Sequence, residues 1–149
     1  MKFLVATDGS DEADNALAYA TDVSYPTGGS ITEVHAVDPA VYETGGSEPI
    51  SSLSDADHRL IIENIEHAED RGLDILDVAI EFAADLGYEV ETELLYGAPV
   101  SEITDYVEEK DFDAIFVGHR GRSKRTDLML GSVAKDTVER ATIPVTVVR

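Results

Sequence analysis

Cysteine and tryptophan are absent from this chain, and basic residues are scarce: 11 Lys and Arg stand against 31 Asp and Glu among 149 residues. Without cysteine there is no disulfide scaffold, no thiolate zinc site and no thiol nucleophile. The same absence points to an intracellular protein. A formal charge of −20 disfavours nucleic acid and anionic membranes as partners, because both demand a positive face. No apolar run approaches the roughly 18 residues that a membrane helix needs. The opening run, Met1 to Thr7, breaks at Asp8-Gly9, too soon for a secretory leader. The expectation is therefore a cytoplasmic protein. At 43% hydrophobic the chain is too apolar for a disordered acidic tail. Its length predicts one domain over residues 1–149.

What the chain does have is acid, scattered along its whole length rather than gathered in one block. That pattern reads as a solvated coat of the halophilic kind, not as a docking patch.

The residue pattern alternates between two periods. Residues 3–7, 31–37, 90–96, 114–117 and 143–148 are short, mostly apolar runs bounded by turn residues. Such runs read as strands of a parallel sheet buried on both faces. Between them lie segments with helical spacing. Ser10 is placed to cap the first, with Asp11 and Glu12 in its opening turn. That helix stops before Pro26. A second runs from about Asp55 to Leu86, with Gly72 as a candidate kink and Gly87 as its C-cap. A third covers Val100 to Val107, and a fourth about 131–141. Residues 39–54 form a long Gly-, Ser- and Pro-containing stretch without periodicity. Strands alternating with helices predict an α/β fold: a doubly wound parallel sheet with helices on both faces. In such sheets ligands sit beyond the carboxyl ends of the strands. The turns after Thr7, Val37 and Val117 fall at that edge.

Chemistry concentrates in one segment, Gly118-His119-Arg120-Gly121-Arg122-Ser123-Lys124-Arg125, which leads on to Gly131-Ser132. It holds four of the eleven basic residues and no acid, so it carries +4 while the other 141 residues sum to −24. It follows a strand and precedes a helix. Glycines there allow backbone N–H groups to approach a ligand, and a helix N-terminus favours an anion. Phosphate binding is the expectation, with Arg120 and Arg122 as the guanidinium contacts and Lys124 as a further candidate.

The spacing Gly118-x2-Gly121-x9-Gly131-Ser132 resembles the nucleotide-binding pattern of the universal stress protein family. Ala6-Thr7-Asp8-Gly9-Ser10, His35-Ala36-Val37-Asp38, Gly97-Ala98-Pro99, Leu130-Gly131-Ser132-Val133 and the closing Ile143-Pro144-Val145-Thr146-Val147-Val148 are similar to the family as well. The resemblance covers essentially the whole chain. It implies a five-stranded parallel sheet of order 3-2-1-4-5 and a homodimer, often paired through the last strand. It also implies an adenine nucleotide, ATP with Mg²⁺, as the ligand of a stress-response regulator. Carried over by position, Ala6, Thr7 and Asp8 lie near the nucleoside and Ala36 along the adenine. Gly118 and Gly121 approach ribose and phosphates, while Gly131, Ser132 and Val133 hold the phosphates. Asp8 reads either as a turn residue or as a contact to the nucleoside or a hydrated Mg²⁺. His119 and Ala134 depart from the hydroxyl residues common at those positions.

Other constellations are weaker. Glu63 and His67 have i, i+4 spacing but no third metal ligand in the pattern. There is no His-Glu-x-x-His, no G-x-S-x-G, no Walker loop and no G-x-G-x-x-G. No nucleophile is paired with a base, so the chain is expected to be no enzyme, or at most a slow ATPase. Two alternatives stay open. One is a dimeric interaction protein that has lost nucleotide binding. The other is a phosphotransferase or pyrophosphatase, for which only Asp8 and Asp38 are placed to help hold metal.

Overall fold

A computed structural model describes residues 1–39, 55–120 and 130–149, with 55–63 described as helical backbone only. The elements run in strict alternation. Strand β1 (Lys2–Ala6) leads to helix α1 (Asp11–Ser24) and a 3₁₀ turn (Tyr25–Thr27), then to β2 (Ser30–Val37) and helix α2 (Asp55–Asp85). Next come β3 (Glu91–Tyr96), α3 (Pro99–Glu109), β4 (Ala114–Gly118), α4 (Ser132–Arg140) and β5 (Val145–Val148). All pairings are parallel, in the order β3-β2-β1-β4-β5. The expected fold class and strand order are thus both present. The stretch read as a long loop lies largely outside the described residues, as do Gly121, Arg122 and Lys124.

Alternation along each strand builds two cores. Phe3, Val5, Ile31 and Phe116 face α1 and α2, meeting Ala16, Leu17, Ala20, Ala79 and Ala83. Leu4, Ala6, Val34, Ile115 and Val117 face α3 and α4, meeting Ile103, Val107 and Ala134. Most residues of the central strands β1, β2 and β4 are thereby dry on both faces, which is why they read as continuous apolar runs. Ala134 belongs to this second core, so a small side chain there serves packing.

Local signals account for the element ends. Ser10 caps α1, its Oγ accepting the Ala13 N–H at 3.3 Å. Pro26 sits inside the 3₁₀ turn that ends the helix. Gly87 adopts φ +78° just past α2, the left-handed conformation that glycine takes most cheaply. Strand β5 starts later than expected: Pro144 has no N–H for the ladder and contributes only its carbonyl, to the Ile115 N–H at 2.9 Å.

Gly72 is not a kink. Helix α2 runs unbroken through it for 31 residues. A Cβ there would come within 2.8 Å of Leu94 Cδ1 and 2.9 Å of His35 Cδ2. The glycine lets the helix lie directly against the β2 and β3 side chains.

Candidate functional site

The carboxyl ends of β1, β2 and β4 form the edge where the predicted residues gather. Parallel pairing puts Ala6 level with Val34 on one side and Val117 on the other. The Thr7 N–H continues the ladder to the Val34 carbonyl at 2.9 Å. Beyond it the chain turns sharply. Thr7 Oγ1 accepts the Gly9 N–H at 3.1 Å, and Asp8 Oδ1 accepts the Ser10 N–H at 3.0 Å. Asp8 is therefore a turn residue, and its side chain also lines the cleft beside it.

That cleft encloses about 510 Å³ and is lined by Asp8, His35, Ala36 and Asp38 from the strand ends, with Arg71 and Asp74 among its α2 residues. Ala36 was expected there. The α2 wall was not, although Ala68, Arg71 and Ile75 share a helix face through their i, i+3, i+7 spacing. His35 is fixed within the wall: its Nδ1 lies 2.8 Å from the Thr7 carbonyl. A carbonyl can only accept, so Nδ1 carries the hydrogen and donates.

The other half of the site starts at Gly118. It is buried against the first turn of α1, where a Cβ would stand 3.0 Å from Glu12 C and 3.1 Å from Ala13 N. Sequence reasoning assigned this glycine to ligand approach. The structure adds that the first turn of α1 packs tightly on it, two of the three closest atoms being backbone. The next residues are clasped from three sides. The His119 N–H donates to the Val148 carbonyl at 2.6 Å, the His119 carbonyl accepts the Gly131 N–H at 2.8 Å, and the Arg120 N–H donates to Glu12 Oε2. These bonds gather residues 119, 120 and 131 into a neck at the tip of β4.

Helix α4 begins at that neck. Gly131 is its N-cap and provides no side-chain capping bond. The Gly131 amide is spent on His119, so the amides at the start of the helix that lack an i−4 partner are those of Ser132, Val133 and Ala134. Ser132 and Val133 are exposed, as a ligand contact requires. The helix end thus offers uncapped N–H groups and a positive dipole end. Arg120 stands at the same neck, its backbone N–H held by Glu12. Among the described residues no group of three or more His, Asp or Glu could hold a metal ion. Glu63, half of the i, i+4 pair with His67, lies among the residues described as backbone only.

The arrangement can receive an anion at the α4 N-terminus and a flat, partly apolar group along Ala36.

Comparison with known proteins bears on the same surface. The model of the universal stress protein family matches residues 1–149. The universal stress protein YxiE of Bacillus subtilis is 34% identical over 148 residues, covering 99% of this chain and 98% of that one. Among solved structures, the universal stress protein UspA of Lactobacillus plantarum shares the fold at TM-score 0.81 and 24% identity, covering 100% of this chain and 97% of its own. A universal stress protein of Archaeoglobus fulgidus in complex with dAMP superposes at TM-score 0.64 and 29% identity, covering 100% of this chain and 98% of its own. Taken with the sheet order and the glycine spacing, these matches mean that the chain belongs to the universal stress protein family.

Proposed function

We propose that this chain is a single nucleotide-binding domain that takes ATP, or another adenine nucleotide, with Mg²⁺ at the carboxyl edge of its sheet. It acts as a cytoplasmic, nucleotide-dependent regulator in stress response. The observation that carries this reading is the uncapped N-terminus of α4 beside Arg120 and the cleft lined by Asp8 and Ala36. A cleft of about 510 Å³ is in the range of small-molecule sites. A relative bound to dAMP supports the ligand class. Adenine lies along Ala36, and the nucleoside near Ala6, Thr7 and Asp8. The phosphates meet Gly121, Ser132, Val133 and the guanidinium groups of Arg120 and Arg122. Bound Mg²⁺ would supply charge neutralisation to the phosphates. Hydrolysis is at most slow, in keeping with a sequence that pairs no nucleophile with a base.

The same reading includes a homodimer joined through β5. Among the described residues that strand pairs with β4 alone, which leaves its outer edge to a second copy.

Mass spectrometry of the small molecule released from the purified protein tests the ligand, together with calorimetry against Mg-ATP and Mg-AMP. An adenine nucleotide released or bound with micromolar affinity is expected. A protein that releases none and gives flat titrations with both would overturn the reading.

A further inference from the structure

Strand β2 carries a glutamate where the sheet is driest. Glu33 is 0% exposed, and neither carboxylate oxygen has a hydrogen-bond partner. It lies on the same face of β2 as Ile31 and His35, the face covered by α1 and α2. Its register neighbours are Val5 on β1 and Thr92 on β3. From α1 the charge of Asp14, a second carboxylate, acts on it. From α2 the buried residues are Leu76, Ala79 and Ala83, while the charged ones along that stretch, Asp74, Asp77 and Glu81, are exposed. Burial, and then the negative Asp14, hold the Glu33 carboxyl up to about 8. Asp14 is itself raised by burial and by Asp11 and Asp8.

A buried acid without partners is stable only while it keeps its proton. Charging it would place an unpaired carboxylate beneath α1 and next to Asp14. The relief available is for α1 to lift from the sheet. The first turn of that helix is the part that grips the loop after β4, through Gly118 packing on Glu12 and Ala13 and through the Arg120 N–H on Glu12.

We propose that Glu33 is a proton-binding site coupled to the α1 clasp: protonated, it lets α1 hold Gly118 and Arg120 at the tip of β4; ionised, it loosens that grip and weakens anion binding. The coupling to a ligand rests on the nucleotide reading above, but the coupling to the clasp does not. The protein is then a nucleotide binder whose affinity reports alkalinity, with the sensor one layer beneath the site.

The test uses two readouts on the full chain, wild type and Glu33→Gln. The first is the ¹⁵N–¹H signal of the Arg120 amide between pH 6 and 9.5. The second is ADP affinity over the same range. The wild-type amide should shift with a midpoint near that of the Glu33 carboxyl carbon, and ADP affinity should fall by up to about tenfold per pH unit above the midpoint. Both changes should vanish in Glu33→Gln. Should Glu33→Gln fail to fold, Glu33→Met replaces it as a variant that buries no polar group. An Arg120 amide that titrates identically in wild type and variant overturns the proposal, as does a Glu33 carboxyl that titrates near 4.5. If ADP does not bind at any pH, the nucleotide reading falls, and the Arg120 signal alone decides the coupling.

Discussion

The carboxylate of Glu12, in the first turn of α1, accepts the backbone N–H of Arg120, 108 positions further along the chain. An acid thus sits at the mouth of the most basic segment of an acidic protein. It does so to hold the backbone of that segment, and in holding it Glu12 ties the first helix to the loop after β4.

Glu12→Ala should loosen this tie. A partly buried amide would lose a charged acceptor, a change worth about 1–2 kcal/mol. Melting temperature and nucleotide affinity should both drop, the latter by about tenfold. Glu12→Gln keeps a carbonyl acceptor and should lose less of each. Wild-type behaviour in both variants would mean that the tie contributes nothing.

Gly118→Ala should destabilise the fold with or without ligand. The added Cβ meets backbone atoms of Glu12 and Ala13 at 3.0 and 3.1 Å, and backbone cannot swing aside. Overpacking of this kind costs about 1–3 kcal/mol. Urea denaturation of the ligand-free protein measures it, and an unchanged midpoint would contradict the packing role.

Gly131→Glu should leave the fold intact and remove binding. The residue has φ −63° and ψ 154°, extended backbone that any side chain adopts. A carboxylate about 5 Å from a phosphate charge is worth roughly 3 kcal/mol of repulsion at an effective dielectric of 20, or about a hundredfold in affinity. Calorimetry on a variant with a normal melting curve provides the check, and retained affinity would move the phosphate site elsewhere.

Stability should decline with pH through the window set by Glu33. The folded carboxyl keeps its proton to about 8, while the unfolded one loses it near 4.5. Between those values the native chain binds more protons than the unfolded chain. Stability from this group is therefore fully present below about 4.5 and is lost as pH rises, by up to about 1.4 kcal/mol per pH unit, levelling off above 8. Urea unfolding from pH 5 to 9 should show this slope in wild type and lack it in Glu33→Gln. Parallel profiles would show that Glu33 ionises freely.

Removal of residues 143–148 should abolish the proposed dimer. The deletion takes away β5, and with it Val145 and Val147, which pack against the core shared by α3 and α4. Monomer or unfolded chain is expected in sedimentation, and a stable dimer of the shortened chain would exclude β5 as the joint.

Much of this architecture could be read before any coordinates. The strands, helices and caps follow from neighbours within a few positions: Ser10 before an acidic first turn, Pro26 after α1, Gly87 after α2. The glycine spacing from 118 to 131 likewise marked one end of the proposed site. The reading failed where a residue answers to something distant. Gly72 looked like a flaw in a helix and is a seat for His35. Arg71 and Asp74 carried no signal in the sequence and line the cleft. Glu33 passed without notice inside a strand expected to be buried on both faces, although a charge in such a strand was itself the signal.

The division follows the range of the forces involved. Hydrophobic period, capping and backbone restriction act within a turn or two, so the sequence by itself determined the order of elements, the strand that leads to the loop and the family the chain resembles. Which helix covers which strand depends on packing between residues 20 to 130 positions apart. Only that packing decided that Glu33 would be sealed beneath α1 beside Asp14, and that Glu12 would reach Arg120. A carboxylate in water and a carboxylate between a helix and a sheet are the same residue in the sequence. The tertiary fold sets the dielectric around each, and so sets which one keeps its proton.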